Sequence, residues 1–519
     1  MLFWMLLALI ATIIYFTDKH FHNYWTRHGV FQKDPTFFLG AVSETILLKQ
    51  SFGELITNNY TKFKNIQKVC GIYFAYRPAL IVNDPKLIQD VMIKDFNSFQ
   101  NRGILFNHEV DPLAAHLFNL EGQKWRDLRV KLSPTFTSGK LKTMFPTIRS
   151  CVKTLEDYLI KSVQNGKNVL NMRDLMARYT TNVISSVAFG IDNDSINDPN
   201  NIFRKMGLKI FQVSIKQALI QTLLFFAPAL VVKARIKLIP KDLEDFFMTI
   251  VKQTIDHRKA SKENERKDFM QLMIQLKNQG YLSADKDDDE NKKSNNSEDV
   301  KKLTFNEIAA QAFLFFAAGF ETSSSTMNFC LFELSRNPDK QKKVHEELDK
   351  ALKDMAINDI TYEKLNELKY LECCIDEALR LYPIVPALIR ESTNDYKFST
   401  SNLKIEKKVP IMIPVMGLQR DPCIYDNPME FRPERFLDSA HGNGKVQGLF
   451  YMPFGDGPRN CIGARMGKLQ TKLGLVAILS KFTFELDDKK FLHTELEYDP
   501  RQFVLTPKHE VMYKISSRV

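Results

Sequence analysis

The sequence predicts a mainly α fold with small β-sheets, carried on an N-terminal membrane anchor. Three observations lead there: an apolar run that opens the chain, two short strand patterns before residue 85, and the capping box Thr304-Phe305-Asn306-Glu307, which starts an unusually long helical pattern. A length of 519 residues would ordinarily suggest about three domains, yet no internal linker divides the chain. An apolar content of 44% is enough for one sizeable core.

Residues 1–16 are apolar apart from Thr12. As a helix they rise roughly 24 Å, short of a bilayer core of ~30 Å, and Thr17 with a snorkelling Lys19 completes the span. A cleaved signal peptide would need a basic start and a small-residue cleavage site, and neither is present. Lys19, Arg27 and Lys33 slightly outnumber Asp18 and Asp34, which places the body on the cytoplasmic side. The division is therefore an anchor over residues 1–17, a linker over 18–40 with the single proline Pro35, and one large domain over 41–519.

Further along, Gly71 to Tyr76 and Ala79 to Val82 read as strands of a small sheet. Asp84-Pro85 supplies an N-cap and an N1 proline for a helix to about Met92. Asp285 to Lys302 is charged, with almost no apolar residues, and reads as a solvated loop. The helix opened by Thr304 runs past Ser335, and Asn337-Pro338 restarts the next. A last helical run covers Ala464 to Leu479.

Lys and Arg outnumber Asp and Glu by 72 to 61, a net charge of +11. No nucleic-acid motif accompanies it, so an anionic membrane surface or an acidic protein partner is the economical reading. Seven cysteines, an odd number without framework spacing, indicate a reducing compartment.

The chemistry concentrates in Phe454-Gly455-Asp456-Gly457-Pro458-Arg459-Asn460-Cys461-Ile462-Gly463. Gly455 and Gly457 allow a tight turn that presents one cysteine, and Cys461 sits just before a helix, where the N-terminal dipole favours the thiolate. Phe454 can cover the sulfur, Arg459 can reach a carboxylate, and Gly463 lets a flat ring approach the backbone. The stretch reads as a loop that presents one cysteine thiolate to a haem iron, a recognised ligation class.

The long helix carries Ala318-Gly319-Phe320-Glu321-Thr322. An alcohol beside a carboxylate inside a helix offers a proton donor and a route to solvent, which oxygen activation needs. Thr322 can bond back to the carbonyl of Ala318 and open the helix locally. Gly319 is expected to remove bulk where a diatomic ligand must fit.

The cysteine loop resembles the haem-binding signature of cytochrome P-450 monooxygenases. Trp125-Arg126-Asp127-Leu128-Arg129 and Leu132-Ser133-Pro134-Thr135-Phe136-Thr137-Ser138-Gly139-Lys140 make the chain most similar to the insect microsomal, xenobiotic-metabolising group. The resemblance implies the P-450 fold, with the long helix over the haem and residues 41–519 as the haem-thiolate catalytic domain. It implies haem b (iron protoporphyrin IX) on Cys461, and Glu321 and Thr322 as the acid–alcohol pair. Arg102, Trp125, Arg129, Arg390 and Arg459 are the implied partners of the propionates; Trp125 and Arg129, at i and i+4, share a helix face. Glu377 and Arg380 are implied to form a buried cluster with Arg435.

The resemblance further implies insertion of one oxygen atom of O2 into a lipophilic substrate: plant toxins, insecticides, hormones or fatty acids. Electrons would come from NADPH through a cytochrome reductase, with cytochrome b5 as a second donor, at the endoplasmic reticulum membrane. Two alternatives stand beside this, a same-fold hydroperoxide isomerase or dehydratase and a non-catalytic haem protein. Substrate-facing segments are placed near Phe106 to Phe118, Ile210 to Ile215, Phe313 to Gly319, Ile384 to Leu388 and Gln502 to Val504. Leu219 to Val232 is too interrupted to span a membrane and reads as a surface that dips into it. Lys124, Arg126, Lys131, Lys140, Lys142 and Lys468 form the expected docking face for an acidic flavoprotein. A cytosolic body leaves the sequons at Asn59, Asn193 and Asn295 unglycosylated.

Overall fold

The computed structural model describes residues 1–212, 214–260, 266–280, 302–353, 355–398, 403–437 and 450–518. The charged stretch from Asp285 to Lys302, all but its last residue, and the sequon Asn295-Asn296-Ser297 lie outside the described residues.

Helix α1, Leu2–Phe21, has 20 residues. At 1.5 Å per residue it rises about 30 Å, the thickness of a bilayer core. Its flanks are exposed except at Asp18. There the helix is fastened to the body: an Asp18 carboxylate oxygen accepts the Phe38 N–H at 2.9 Å, and the other lies 3.2 Å from His22 Nδ1. Trp25 is fully buried, donating from Nε1 to the Ile72 carbonyl at 3.0 Å. Residues 18–40, expected as a linker, thus pack against the first sheet in their middle part. The reason is aromatic content: Phe21 and Phe38 both meet the Tyr76 ring, and the Trp25 ring occupies the space where Gly71 lacks a side chain.

Helix α2, Phe52–Phe63, is opened by a full Ser51/Glu54 capping box. The two strands expected from sequence at Gly71–Tyr76 and Ala79–Val82 form as β1, Val69–Phe74, and β2, Arg77–Val82, each starting two residues earlier, and pair as an antiparallel hairpin. Asp84 caps the short helix Pro85–Gln89 through the Lys86 and Leu87 N–H groups, and one wider turn carries it to Lys94. Then come α3, Gly122–Leu132, and α4, Ser138–Gln164, followed by strand β3, Val169–Leu170, and α5, Met172–Ile184. Next are α6, Ile202–Phe211; α7, Ile215–Phe226; α8, Lys241–Ala260; and α9, Phe269–Asn278.

Helix α10, Phe305–Arg336, is the axis of the fold, with 32 residues. Both halves of its capping box form: Glu307 accepts from the Thr304 N–H at 2.8 Å, and the Thr304 hydroxyl accepts from the Glu307 N–H at 3.2 Å. It is buried on nearly every side, polar residues such as Gln311, Ser323, Ser324, Ser325 and Asn328 included. Helices α11, Pro338–Ala351, and α12, Lys369–Leu381, follow.

The remaining strands are β4, Leu388–Glu391; β5, Tyr396–Lys397; β6, Lys404–Ile405; β7, Pro410–Ile413; β8, Phe482–Leu486; and β9, Tyr513–Ser517. They build sheets in the orders β1-β2-β7-β4, β3-β9-β8 and β5-β6. Helix α13, Ala464–Leu479, precedes β8 and matches the run read from sequence. It packs on α10, which α5 and α12 also flank, so the loop ahead of α13 is delivered to the flank of the long helix.

Candidate functional site

Two backbone devices shape the cysteine loop. Gly455 and Gly457 have φ of 72° and 68°, and a Cβ at Gly457 would sit 2.0 Å from the Met92 carbonyl oxygen. The loop is closed by hydrogen bonds from the Gly455 N–H to the Met452 carbonyl at 2.9 Å and from the Cys461 N–H to the Phe454 carbonyl at 2.8 Å.

Cys461 has accessible surface, yet burial is the leading influence on its thiol. Both hold because the surface it exposes is that of a space inside the protein. Burial pushes the thiol up, against the downward pull of the Gly463 N–H and of the Arg129 and Arg102 guanidiniums. Placement before α13 alone predicts a lowered thiol; desolvation outweighs it. A bound metal ion reverses that balance, since a coordinated thiol is deprotonated outright. At Gly463 the nearest atom to an added Cβ among the described residues is a Phe136 ring carbon at 3.9 Å, an ordinary contact that leaves that side uncrowded.

On α10, Ala318 is exposed and Thr322 half-buried while Phe316 and Phe320 are fully buried. Ala318 and Thr322, one turn apart, therefore border an opening inside the molecule. The Thr322 hydroxyl donates to the Ala318 carbonyl at 2.6 Å, the back-bond expected from sequence. Glu321 turns the other way. It is buried, and Oε1 accepts from Arg173 of α5 at 3.2 Å and from the Ser325 hydroxyl at 3.3 Å. Arg173 is 40% exposed at its side chain, so this pair links the interior of α10 to solvent.

Gly319 has a different role from the one expected. A Cβ there would fall 2.8 Å from Ile184 of α5, so the missing side chain admits a neighbouring helix and makes no room for a diatomic ligand. Gln470 of α13 donates to the Gly319 carbonyl at 2.9 Å and also to the Ser323 hydroxyl, which pins the two helices together.

Four guanidiniums gather beside this space. Arg102 Nη1 donates to the Phe118 carbonyl at 2.8 Å, and its guanidinium lies 4.0 Å from the centre of the Phe118 ring. Arg459 reaches the same carbonyl at 3.3 Å and that of Leu120 at 2.5 Å, and stacks 4.3 Å from the centre of Trp125. Arg129 fixes Asn460, next to the cysteine, through two bonds of 2.8 Å. Arg390 is 1% exposed, so it is no surface cation.

Among the described residues none of the four has an ion pair, and the Nε atoms of Arg390 and Arg459 are buried without a hydrogen bond. Burial and mutual repulsion depress Arg102 and Arg459, the latter to about 9, and burial alone depresses Arg390 to about 10. Buried cations in this state call for an anion. A flat macrocycle with two carboxylates fits the donor set: Cys461 would hold its metal, and Arg102, Arg129, Arg390 and Arg459 would answer its carboxylates.

Behind the loop, Glu377 and Arg380 are both fully buried and joined by two bonds of 2.7 and 2.8 Å; Arg435 adds a third at 3.2 Å. Gln419, to which the sequence assigned no role, is a bolt in the same assembly. Its amide nitrogen donates to the Leu379 and Arg380 carbonyls, each at 3.0 Å, and its oxygen accepts from the Met452 N–H at 3.0 Å. Sequence reasoning also missed Arg173 and Gln470; the buried His116, inside the Phe106–Phe118 segment placed near substrate, has its ring 6.2 Å from that of Phe313. Of the candidate pocket aromatics, Phe316 stacks with Phe320 and meets Phe189, Phe203 and Phe247 in the core, whereas Phe503 is 47% exposed.

Comparison with known proteins places this geometry. The family model for cytochrome P450 matches residues 33–513. Cytochrome P450 6A1 of Musca domestica is 38% identical over 98% of this chain and 96% of its own length. Cytochrome P450 6a2 of Drosophila melanogaster is 38% identical over 97% of each.

Proposed function

Because the chain belongs to the cytochrome P450 family and is a haem-thiolate monooxygenase, we propose that Cys461 is its iron ligand and that it oxidises lipophilic foreign compounds, such as plant toxins or insecticides, at the cytosolic face of the endoplasmic reticulum. The observation that carries the site is the meeting of a shielded cysteine with four guanidiniums that have no ion pair among the described residues, two of them, Arg390 and Arg459, buried with an unsatisfied Nε. Haem b, when bound, activates dioxygen with electrons that the family draws from NADPH through a reductase.

The chain's own residues do the rest. Cys461 supplies the thiolate, and the Gly463 N–H and Phe454 shield and polarise it. Arg102, Arg129, Arg390 and Arg459 neutralise the propionates, with Trp125 stacked on Arg459. The Thr322 hydroxyl holds a proton at the edge of the opening, and Glu321 with Arg173 replenishes it from solvent. A same-fold isomerase has no need of that relay, so its presence favours the monooxygenase. Cytochrome b5 is a second donor. The α1 span, the exposed Leu219 on α7 and Leu230 on the short helix after it support a membrane-seated body.

The reduced carbon monoxide complex should show the red-shifted Soret band of haem-thiolate proteins, and Cys461→His should lose it while keeping haem. An unchanged spectrum in that variant removes Cys461 from the role. NADPH consumption with reductase should rise on adding lipophilic compounds, with product formed; a flat response sinks the proposed substrate class.

A further inference from the structure

The last turn of α12 and a hairpin near the C-terminus hang on one cation. Arg420 donates from Nε to the carbonyl of Leu381, the final residue of α12, at 2.7 Å, and from Nη2 to the Tyr498 hydroxyl, also at 2.7 Å. Its guanidinium lies 5.5 and 5.7 Å from the ring centres of Tyr382 and Tyr498. Among the described residues it has no ion pair. The seat suits it all the same, because a helix C-terminus carries partial negative charge and aromatic faces attract cations. Tyr382 fixes the seat to the long helix: its ring stacks on Phe329 of α10, centres 4.6 Å apart, and its hydroxyl donates to Glu333.

Tyr498 is the base of the hairpin. The Asp499 N–H donates to the Thr506 carbonyl at 2.9 Å and the Lys508 N–H to the Glu497 carbonyl at 2.8 Å, which leaves Arg501, Gln502 and Phe503 at the turn. One ribbon joins the hairpin to the cysteine loop. The Leu505 N–H donates to the Ile384 carbonyl at 2.8 Å, and further along that ribbon a Leu388 methyl lies 3.8 Å from where a Cβ on Gly455 would sit. Arg390, one of the four clustered guanidiniums, follows in the same strand, β4. The hairpin also reaches the flank of α10 that bears Glu321. Arg501, bonded to Asp499 at 2.7 and 2.8 Å, holds that carboxylate below its usual range, and Arg173, the partner of Glu321, adds to the effect. The hairpin thus stands between the cysteine loop and the Glu321 side of the long helix.

We infer that Arg420 is a positioning residue for substrate: through Tyr498 it sets the stance of the hairpin, with Phe503 at its turn, over the space beside Cys461, and so decides which part of a lipophilic molecule meets the haem; the inference rests on the monooxygenase reading above. One lost hydrogen bond shifts the balance between two arrangements of a segment about three- to tenfold. Removing the Tyr498 hydroxyl should therefore reshape the pocket while the backbone bonds of the hairpin keep it folded.

The test reads the pocket without a known substrate. Phenyldiazene gives the full-length haem protein an iron-bound phenyl group, and ferricyanide then moves that group to whichever pyrrole nitrogens have open space above them. The isomer ratio of the N-phenylporphyrins therefore maps the space over the haem. Tyr498→Phe should change that ratio about threefold or more and leave the carbon monoxide band intact. Arg420→Lys, with one nitrogen where the arginine uses two, should change it in the same direction, and the double variant should add little. Lys508→Gln, which removes only an exposed ion pair with Glu497 from the same hairpin, should not change it. An unchanged ratio in Tyr498→Phe overturns the inference, even if stability falls, because Arg420 then serves the fold alone. So do fully additive shifts in the double variant, or a Lys508→Gln shift as large as that of Tyr498→Phe. If no phenyl complex forms beside a normal carbon monoxide band, this inference falls and the haem-thiolate reading stands. If that band is absent from the wild type, the reading beneath it falls.

Discussion

Arg173 of α5 and Glu321 of α10 lie 3.2 Å apart across 148 residues of chain, and the arginine holds the carboxylate with its other side toward solvent. Their neighbour Thr322 is committed to the Ala318 carbonyl. The carboxylate therefore does not work alone, and the arginine is a positioning residue for it. Thr322→Ala should lower product per NADPH by up to ~10²-fold and release peroxide instead. Arg173→Met should uncouple in the same direction by a smaller factor, and adding it to Glu321→Gln should cost little more. Full additivity in that double variant would separate the arginine from the relay.

The Glu377–Arg380 pair makes a sharper prediction about folding. Both side chains are fully buried, so removing Glu377 leaves Arg380 uncompensated, at about 3–5 kcal/mol, while removing Arg380 leaves Glu377 with Arg435 as its one cation and costs toward the lower end. Arg380→Leu should yield little haem-loaded protein. Gln419→Leu should also destabilise, by about 1–3 kcal/mol for each partner left unsatisfied, though no charge is involved. Denaturation midpoints of haem-loaded protein check both. A Gln419→Leu variant as stable as the wild type would show that its three bonds are replaceable.

How much was legible depended on range. The capping box at Thr304 and Glu307, the hairpin around Tyr76 and the helix from Ala464 are set by residues close in sequence, and the pattern alone defines them. The Thr322 back-bond is equally local. Arg173 carries no local signal, since its partner arrives through tertiary packing. Gly319 was misjudged for the same reason: what its missing side chain admits is Ile184, on another helix. The stretch after the anchor read as a linker because it lacks a helical or strand period, while its structure comes from single aromatic side chains fitting the first sheet. Asn59 illustrates a further limit. Its sequon is intact, but the side chain is buried and bonded to Leu55, so absence of glycan there says nothing about membrane orientation.

His116 makes stability depend on pH. Burial, opposed by its own backbone and aided by Arg102, lowers the imidazole from 6.5 to about 3. The unfolded chain thus takes up a proton below about 6.5 that the folded protein refuses until about 3. The stabilisation is complete above pH 6.5 and is lost progressively as pH falls from there toward 3. At pH 5 the loss is about 2 kcal/mol. His116→Asn should flatten that part of the profile, measured as urea midpoints between pH 7 and 4.5. An identical slope in the variant would assign the acid sensitivity elsewhere, with His345, lowered to about 4 mainly by burial, as the next candidate.

The docking face is narrower than the run of basic residues suggests. Lys142 is paired with Glu363 at 2.6 Å and Lys468 with Asp376 at 2.7 Å, so neither offers a full free charge to a partner. Lys124 and Arg126 remain exposed on α3, beside Val130, which is 68% exposed on the same helix. A basic rim around one bare apolar residue suits an acidic flavoprotein steered by charge and held by a small dry contact. Lys124→Glu should slow reductase-driven turnover several-fold at low salt, with the gap to wild type closing as salt screens the interaction. Val130→Asp should slow it at every salt concentration, because the apolar contact is not screened. Lys142→Gln should change little, since its charge is already answered by Glu363. Peroxide-driven turnover, which bypasses the reductase, should stay near wild type in all three. If it falls in step with the reductase-driven rate, α3 is supporting the haem site rather than meeting a partner.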